Sequence, residues 1–174
     1  MLLAVIAVGS GTARAETAPA ESRIKTEFLL HFVQFVEWPK SVLPPGAPIV
    51  IGIVGSDPFG RAIEELTGKR ANGHTLVIRR LRWNDVLTGC HVVFFSSREG
   101  EHLAVVLAAT RGRSILTVGD AGHFVTRGGV IELVASQGGI DFDVNTEAAA
   151  QAHLRISSKL LQVAHALRGT TEGR

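Results

Sequence analysis

The run His91-Val92-Val93-Phe94-Phe95-Ser96-Ser97 limits the possible folds more than any other stretch of the chain. From Val92 to Phe95 every side chain is apolar, so an extended strand here has no face to offer water. A run this short, closed by two serines and Gly100, reads as a central strand covered on both sides. Such a strand requires one layer above it and another below.

Helical patterns on either side of it supply those layers. Ile24, Phe28, His31, Phe32 and Phe35 recur at spacings of three and four, with Leu29, Val33 and Val36 widening the stripe. This predicts a deeply packed helix from a cap at Ser22 to the stop at Trp38-Pro39. Ile49 to Val54 is a second apolar strand, ended by Gly55-Ser56-Asp57-Pro58. Phe59, Ile63 and Leu66 then mark a short amphipathic helix. Leu76, Ile78 and Leu81 alternate as an edge strand, Trp83 to Leu87 reads as a helical turn, and Leu103, Val106 and Leu107 face inward from a helix over 101–110. Ser114 to Val118 is another buried strand. Val130–Val134 and Ile140–Val144 flank Gln137-Gly138-Gly139 as a hairpin. Asn145 caps a helix to Ala152, and a final helix runs from Ser157 or Ser158 to Leu167. This order predicts a three-layer α/β sandwich. Its central sheet is mixed but mostly parallel, with helices on both faces and a C-terminal hairpin plus helices at the end.

The 174 residues suffice for one domain. The first fifteen read as an export signal: Leu2 to Val8 is an apolar core too short to span a bilayer, and Ala13-Arg14-Ala15 is a small-x-small cleavage pattern. The expected division is therefore residues 1–15 as signal peptide, cleaved near Ala15, and residues 16–174 as a single α/β domain. Export permits disulfides, yet the chain has one cysteine, Cys90, which has no internal partner and reads as a small core residue. The net charge of +2 is scattered apart from Arg79-Arg80-Leu81-Arg82, and no basic helix or aromatic interleaving points to nucleic acid.

Few residues point to chemistry. In open α/β sheets the binding crevice lies at the C-terminal ends of the strands. Three such ends are polar here, at Gly55-Ser56-Asp57, Ser96-Ser97-Arg98 and Thr117-Val118-Gly119-Asp120, so Ser56, Ser96, Arg98 and Thr117 are candidate ligand-binding residues for a nucleotide or amino acid. Polar strand ends are also what the topology itself demands. The three-glycine dinucleotide pattern, the phosphate-loop lysine and a Gly-x-Ser-x-Gly elbow are all absent. The histidines lack metal-ligand spacing, so neither a metal nor a cofactor is expected. On the hairpin, Asp141 and Asp143 alternate away from Ile140, Phe142 and Val144. Together with Glu132, Ile131 and the later Arg155, this reads equally as a strand guarded against edge pairing and as a protein-docking face.

Six segments in order resemble the YfiR family of small periplasmic proteins. They are Lys25 to Pro39, ending Phe-Val-Glu-Trp-Pro; Ile51-Gly52-Ile53-Val54-Gly55 with Asp57-Pro58-Phe59; Cys90 to Ser96; Ile115 to Asp120; Phe142-Asp143-Val144-Asn145; and Leu154 to Leu161. The resemblance implies a non-catalytic, dimeric periplasmic repressor. Its partner would be the sensor domain of an inner-membrane diguanylate cyclase, and an OmpA-like outer-membrane lipoprotein would sequester it, so that it sets cyclic-di-GMP level and biofilm formation. The family often joins the cysteine of the Cys-His strand to one in the Ile-Cys-Val strand, where this chain has Gly52. A second family disulfide, near Gly128 to Leu133, has no cysteines here either. The expected docking residues are Ile131, Glu132, Asp143 and Arg155. A periplasmic small-ligand sensing module is the alternative.

Overall fold

A computed structural model describes residues 13–168, so most of the expected export signal lies outside the described residues. Helix α1 (Ala13–Phe35) opens the domain. It is continuous through Ser22, whose hydroxyl donates to the Pro58 carbonyl at 2.9 Å instead of capping a helix start. Its buried face runs through Lys25, Leu29, Phe32 and Val33 and continues into Val36 just beyond its end, and His31 is exposed. The stripe is rotated away from Ile24 and His31 because the three aliphatic residues align with Phe32 and bury more apolar surface. Phe32 stacks on Phe28 and meets Phe142 edge-on, with centroids 5.1 Å apart.

The two residues after α1 form β1 (Val36–Glu37). Next come β2 (Ile49–Val54), a 3-10 helix over Gly60–Leu66, β3 (Arg70–Ala71), β4 (His74–Leu81) and β5 (Val92–Phe95). Asp57 fixes the 3-10 helix by accepting from the Phe59 and Gly60 N–H groups at 2.8 and 3.2 Å. Trp83 to Leu87 forms turns, not the expected helical turn. After a second 3-10 segment, α2 (Leu103–Thr110) precedes β6 (Leu116–Gly119), then β7 (Ile131–Ser136), β8 (Gly139–Asn145) and α3 (Thr146–Gln151). The chain closes with β9 (Arg155–Ile156), α4 (Ser158–Val163) and β10 (Ala166–Arg168). The last helix thus stops short of the expected Leu167. His165 N–H donates to the Phe142 carbonyl at 2.8 Å and β10 pairs with β8, which covers backbone groups that would otherwise form an open edge.

The main sheet has the order β10-β8-β7-β6-β5-β2-β4-β3. Pairing is parallel from β4 through β2, β5 and β6 to β7, and also between β8 and β10; the β7–β8 hairpin and the β3–β4 ribbon are antiparallel. This is the expected three-layer α/β sandwich. On β5, Val92 and Phe94 pack into the core shared with α1, α3 and α4, while Val93 and Phe95 face α2 and its Leu103, Val106 and Leu107. A separate ribbon, β1 with β9, ties the exit of α1 to the segment before α4, and the Ser157 N–H adds a bond to the Phe35 carbonyl at 2.9 Å.

The loop between β6 and β7 turns around Phe124, which is fully buried. Its ring sits where side chains of Gly119 and Gly129 would be: a Cβ on Gly119 would come within 2.6 Å of it, and one on Gly129 would overlap it. Both positions therefore require glycine for close approach, whatever their backbone angles.

Candidate functional site

After β2 the chain steps to β4 on one side and returns to β5 on the other. The switch point lies between β2 and β5, and the fold places a ligand crevice beyond their C-terminal ends. The chain lines that crevice with its own carboxylates. Glu99 leans over Gly55, where an added Cβ would lie 2.7 Å from its carboxyl carbon, and accepts from the Ser56 hydroxyl at 3.4 Å. Asp120, one strand further along, accepts the Ser97 N–H at 2.6 Å and Lys25 Nζ at 2.8 Å. Both side chains of the Lys25–Asp120 pair are about nine-tenths buried, and Glu21 reaches the same ammonium at 2.7 Å. Burial pulls the Lys25 ammonium down, but hydrogen bonds to Asp120 and Glu21 outweigh it and leave its pKa above the ordinary 10.5. Asp57 completes the set: its carboxylate is shared between the 3-10 N–H groups and Arg80 at 3.0 Å. An incoming anion would find these N–H donors taken and three carboxylates facing it.

The four candidate ligand residues do not converge. Ser56 serves Glu99, Ser96 is buried, and Arg98 is exposed on the 3-10 segment. Thr117 lies below the strand end, paired with Val93, and its hydroxyl accepts the Val130 N–H at 2.9 Å. What matters at the crevice is Glu99, Asp120 and Lys25. Lys25 was detectable in sequence as a cation in line with Leu29, Phe32 and Val36, but its partner could not be seen.

The expected docking residues also separate. Ile131 is fully buried and Glu132 nearly so. Both belong to the interior because β7 lies between β6 and β8, with no open side. The Glu132 carboxylate accepts the N–H groups of His123 and Val125, at 2.9 and 3.0 Å, and so ties down the loop around Phe124. Asp143 is directly across the hairpin from Glu132 on the same face, half-buried, with His165 Nδ1 at 3.1 Å. Arg155 belongs to the β1–β9 ribbon, with Glu37 at 3.9 Å.

Cys90 is buried, as expected of a small core residue. Burial pushes its thiol pKa up against the pull of Arg79 and Arg113. A Cβ built on Gly52 would lie 3.1 Å from its sulfur. The neighbouring His91 accepts the Val50 N–H through Nδ1 at 3.1 Å, and burial lowers its pKa below 6.5. Among the described residues no group of three His, Cys, Asp or Glu side chains is arranged to hold a metal, and no helix is long and apolar enough to cross a membrane.

The sequence profile of the YfiR/HmsC-like family matches residues 22–165. This chain belongs to that family. A search of curated proteins gives no match. Among solved structures, the chain resembles the crystal structure of a conserved domain protein from Vibrio cholerae O1 biovar eltor str. n16961, with a TM-score of 0.54 at 18% identity. That likeness covers 84% of this chain and 60% of the other, so the chain spans well under two thirds of that protein, and what they share is the fold.

Proposed function

We propose that this YfiR/HmsC-like chain is an exported, non-catalytic regulatory adaptor. It acts in the periplasm by docking on the sensor domain of an inner-membrane signalling protein and repressing it. A diguanylate cyclase is the partner the family favours, with cyclic-di-GMP as output. An OmpA-like lipoprotein that captures the adaptor and a homodimeric state belong to the same reading. The observation that carries it is the crevice at the switch point. Where a fold of this kind would hold a substrate, Glu99, Asp120 and Lys25 bond to the chain itself, which leaves the outer surface to do the work.

Of the expected docking residues, Asp143 and Arg155 carry the proposal forward, since they reach solvent and Ile131 and Glu132 do not. The test is capture of the periplasmic domain of an inner-membrane diguanylate cyclase from the same organism. Asp143→Lys with Arg155→Glu is expected to weaken capture by about tenfold while the melting temperature holds. Undiminished capture by the folded double variant would remove this surface from the proposal.

A further inference from the structure

The opposite end of the sheet has the reverse electrostatics. Beneath the N-terminal ends of β6 and β7, between α2 and α3, lies a cavity of about 340 Å³ lined in part by Arg111, Arg113, Arg127, Thr117, Gly112 and Gly128. Three of the residues that line it are arginines, and none is acidic. Three other cavities, of 420 to 440 Å³, each set acids beside their cations: Glu37 with Lys40, Glu21 and Asp120 with Lys25, and Glu27 and Glu65 with Arg23 and Lys69. Elsewhere Arg80 pairs with Asp57 and Glu64, and Arg155 with Glu37. Among the described residues Arg111, Arg113 and Arg127 have no acidic partner and no hydrogen-bonded acceptor for their side chains. The nearest acid by sequence on α3, Glu147, is engaged with the Gln151 amide at 3.3 Å.

We propose that this cavity binds a small phosphate-bearing anion, either free phosphate or a compact phosphate monoester. Three facts support the class. Guanidinium is planar and forked, and matches phosphate oxygens two bonds at a time. Three such cations gathered around one concavity repel one another, so a ligand of two negative charges relieves a cost that the empty site bears. The cavity is at the small end of the range for metabolite sites, which suits a single phosphate group on a compact ligand. Thr117 supplies the floor. Its hydroxyl oxygen accepts the Val130 N–H, which leaves its own O–H available as a donor. The turn at Gly112, with φ of +68°, and the one at Gly128, with φ of +101°, bring backbone to the rim without a side chain to block it. Such a ligand would bridge α2, α3 and the loop around Phe124, adding to the packing of Phe124 on α2 and the Asn145–Val125 bond that already join them. The site is independent of the docking surface, so either proposal can fail alone.

The test is titration of the purified full-length protein with inorganic phosphate, glycerol 3-phosphate and glycerol, followed by calorimetry and by backbone amide shifts in NMR. Saturable binding of phosphate or of the monoester is expected, with shifts centred on Gly112 and Gly128 and none from glycerol. Binding of both assigns the phosphate group as the determinant, and binding of one names the source. Arg113→Gln and Arg127→Gln are each expected to weaken binding by about tenfold. Arg127 is exposed, so its variant folds even where the half-buried Arg113 does not tolerate change. No saturable binding of either anion, affinity unchanged in the folded Arg127 variant, or shifts centred on Ser56 and Ser97 would each overturn the assignment.

Discussion

The two ends of the parallel strands differ in where their charges are satisfied. At the C-terminal end Asp57, Glu99 and Asp120 are bonded to backbone N–H groups, hydroxyls or cations of the same chain, and Lys25 is held between two acids. At the N-terminal end Arg111, Arg113 and Arg127 surround a cavity with no acid on its wall. The fold alone would put the binding site at the first of these. The contrast shows that the fold provides donors at strand ends, and that the loop residues decide whether those donors stay available. One acidic residue in each of three loops is enough to occupy the donors of the usual crevice.

The largest test of this contrast is to break the pair at the closed end. Asp120→Ala strands the buried Lys25 ammonium with Glu21 alone and leaves the Ser97 N–H without its acceptor. A loss of about 3 kcal/mol is expected in urea unfolding, and a loss under about 1 kcal/mol would mean the crevice is not held by internal charge. Next in size is a gain. Gly52→Cys sets a second sulfur beside Cys90, on β2 near the middle of the sheet. After some yielding by Leu81, whose Cδ1 would be 2.9 Å from the new Cβ, the oxidised variant is expected to gain about 2 kcal/mol. The melting temperature should fall back on reduction, and a thiol that still reacts fully after oxidation would show that the bridge had not formed.

A smaller effect is expected from acid. The folded His91 resists protonation, so as pH falls the unfolded chain takes the proton first. Its contribution is complete above about pH 6.5 and drains away as pH falls toward the lowered folded value. His91→Gln, which keeps an acceptor for the Val50 N–H, should flatten stability against pH below about 6.5. An unchanged slope would assign the acid loss to the carboxylates. The smallest effect is predicted at the open end. Single Arg→Gln changes at positions 111, 113 and 127 should move stability by no more than about 0.5 kcal/mol, because these cations hold nothing in place. A loss above about 1 kcal/mol at any of them would make that arginine a structural residue and erase the contrast.

The layers were legible in the sequence because they rest on short-range pattern. Val92 to Phe95 could only be covered on both faces, and the glycines after β7 could only turn a hairpin. Elements stabilised by distant partners were not legible. The β1–β9 ribbon joins two-residue segments more than a hundred positions apart, and β10 is a strand because β8 needs a neighbour, although Leu167 fits a helical pattern. The surroundings of the candidate site residues were hidden for the same reason. Pairing across the hairpin puts Glu132 with Asp141 and Asp143 on a charged face, but its acceptor role depends on a loop that folds back over it. The resemblance implies a disulfide near that loop, and a carboxylate spanning two N–H groups does the tying here.

Phe124 and the glycines that enclose it carry a consequence for how such chains drift. A side chain at position 119 or 129 leaves the ring nowhere to go, and a smaller residue at 124 leaves a void between two bare stretches of backbone. No single exchange at the three sites is neutral. Across relatives they should change hands together or not at all, as a linked triplet whose intermediates are purged.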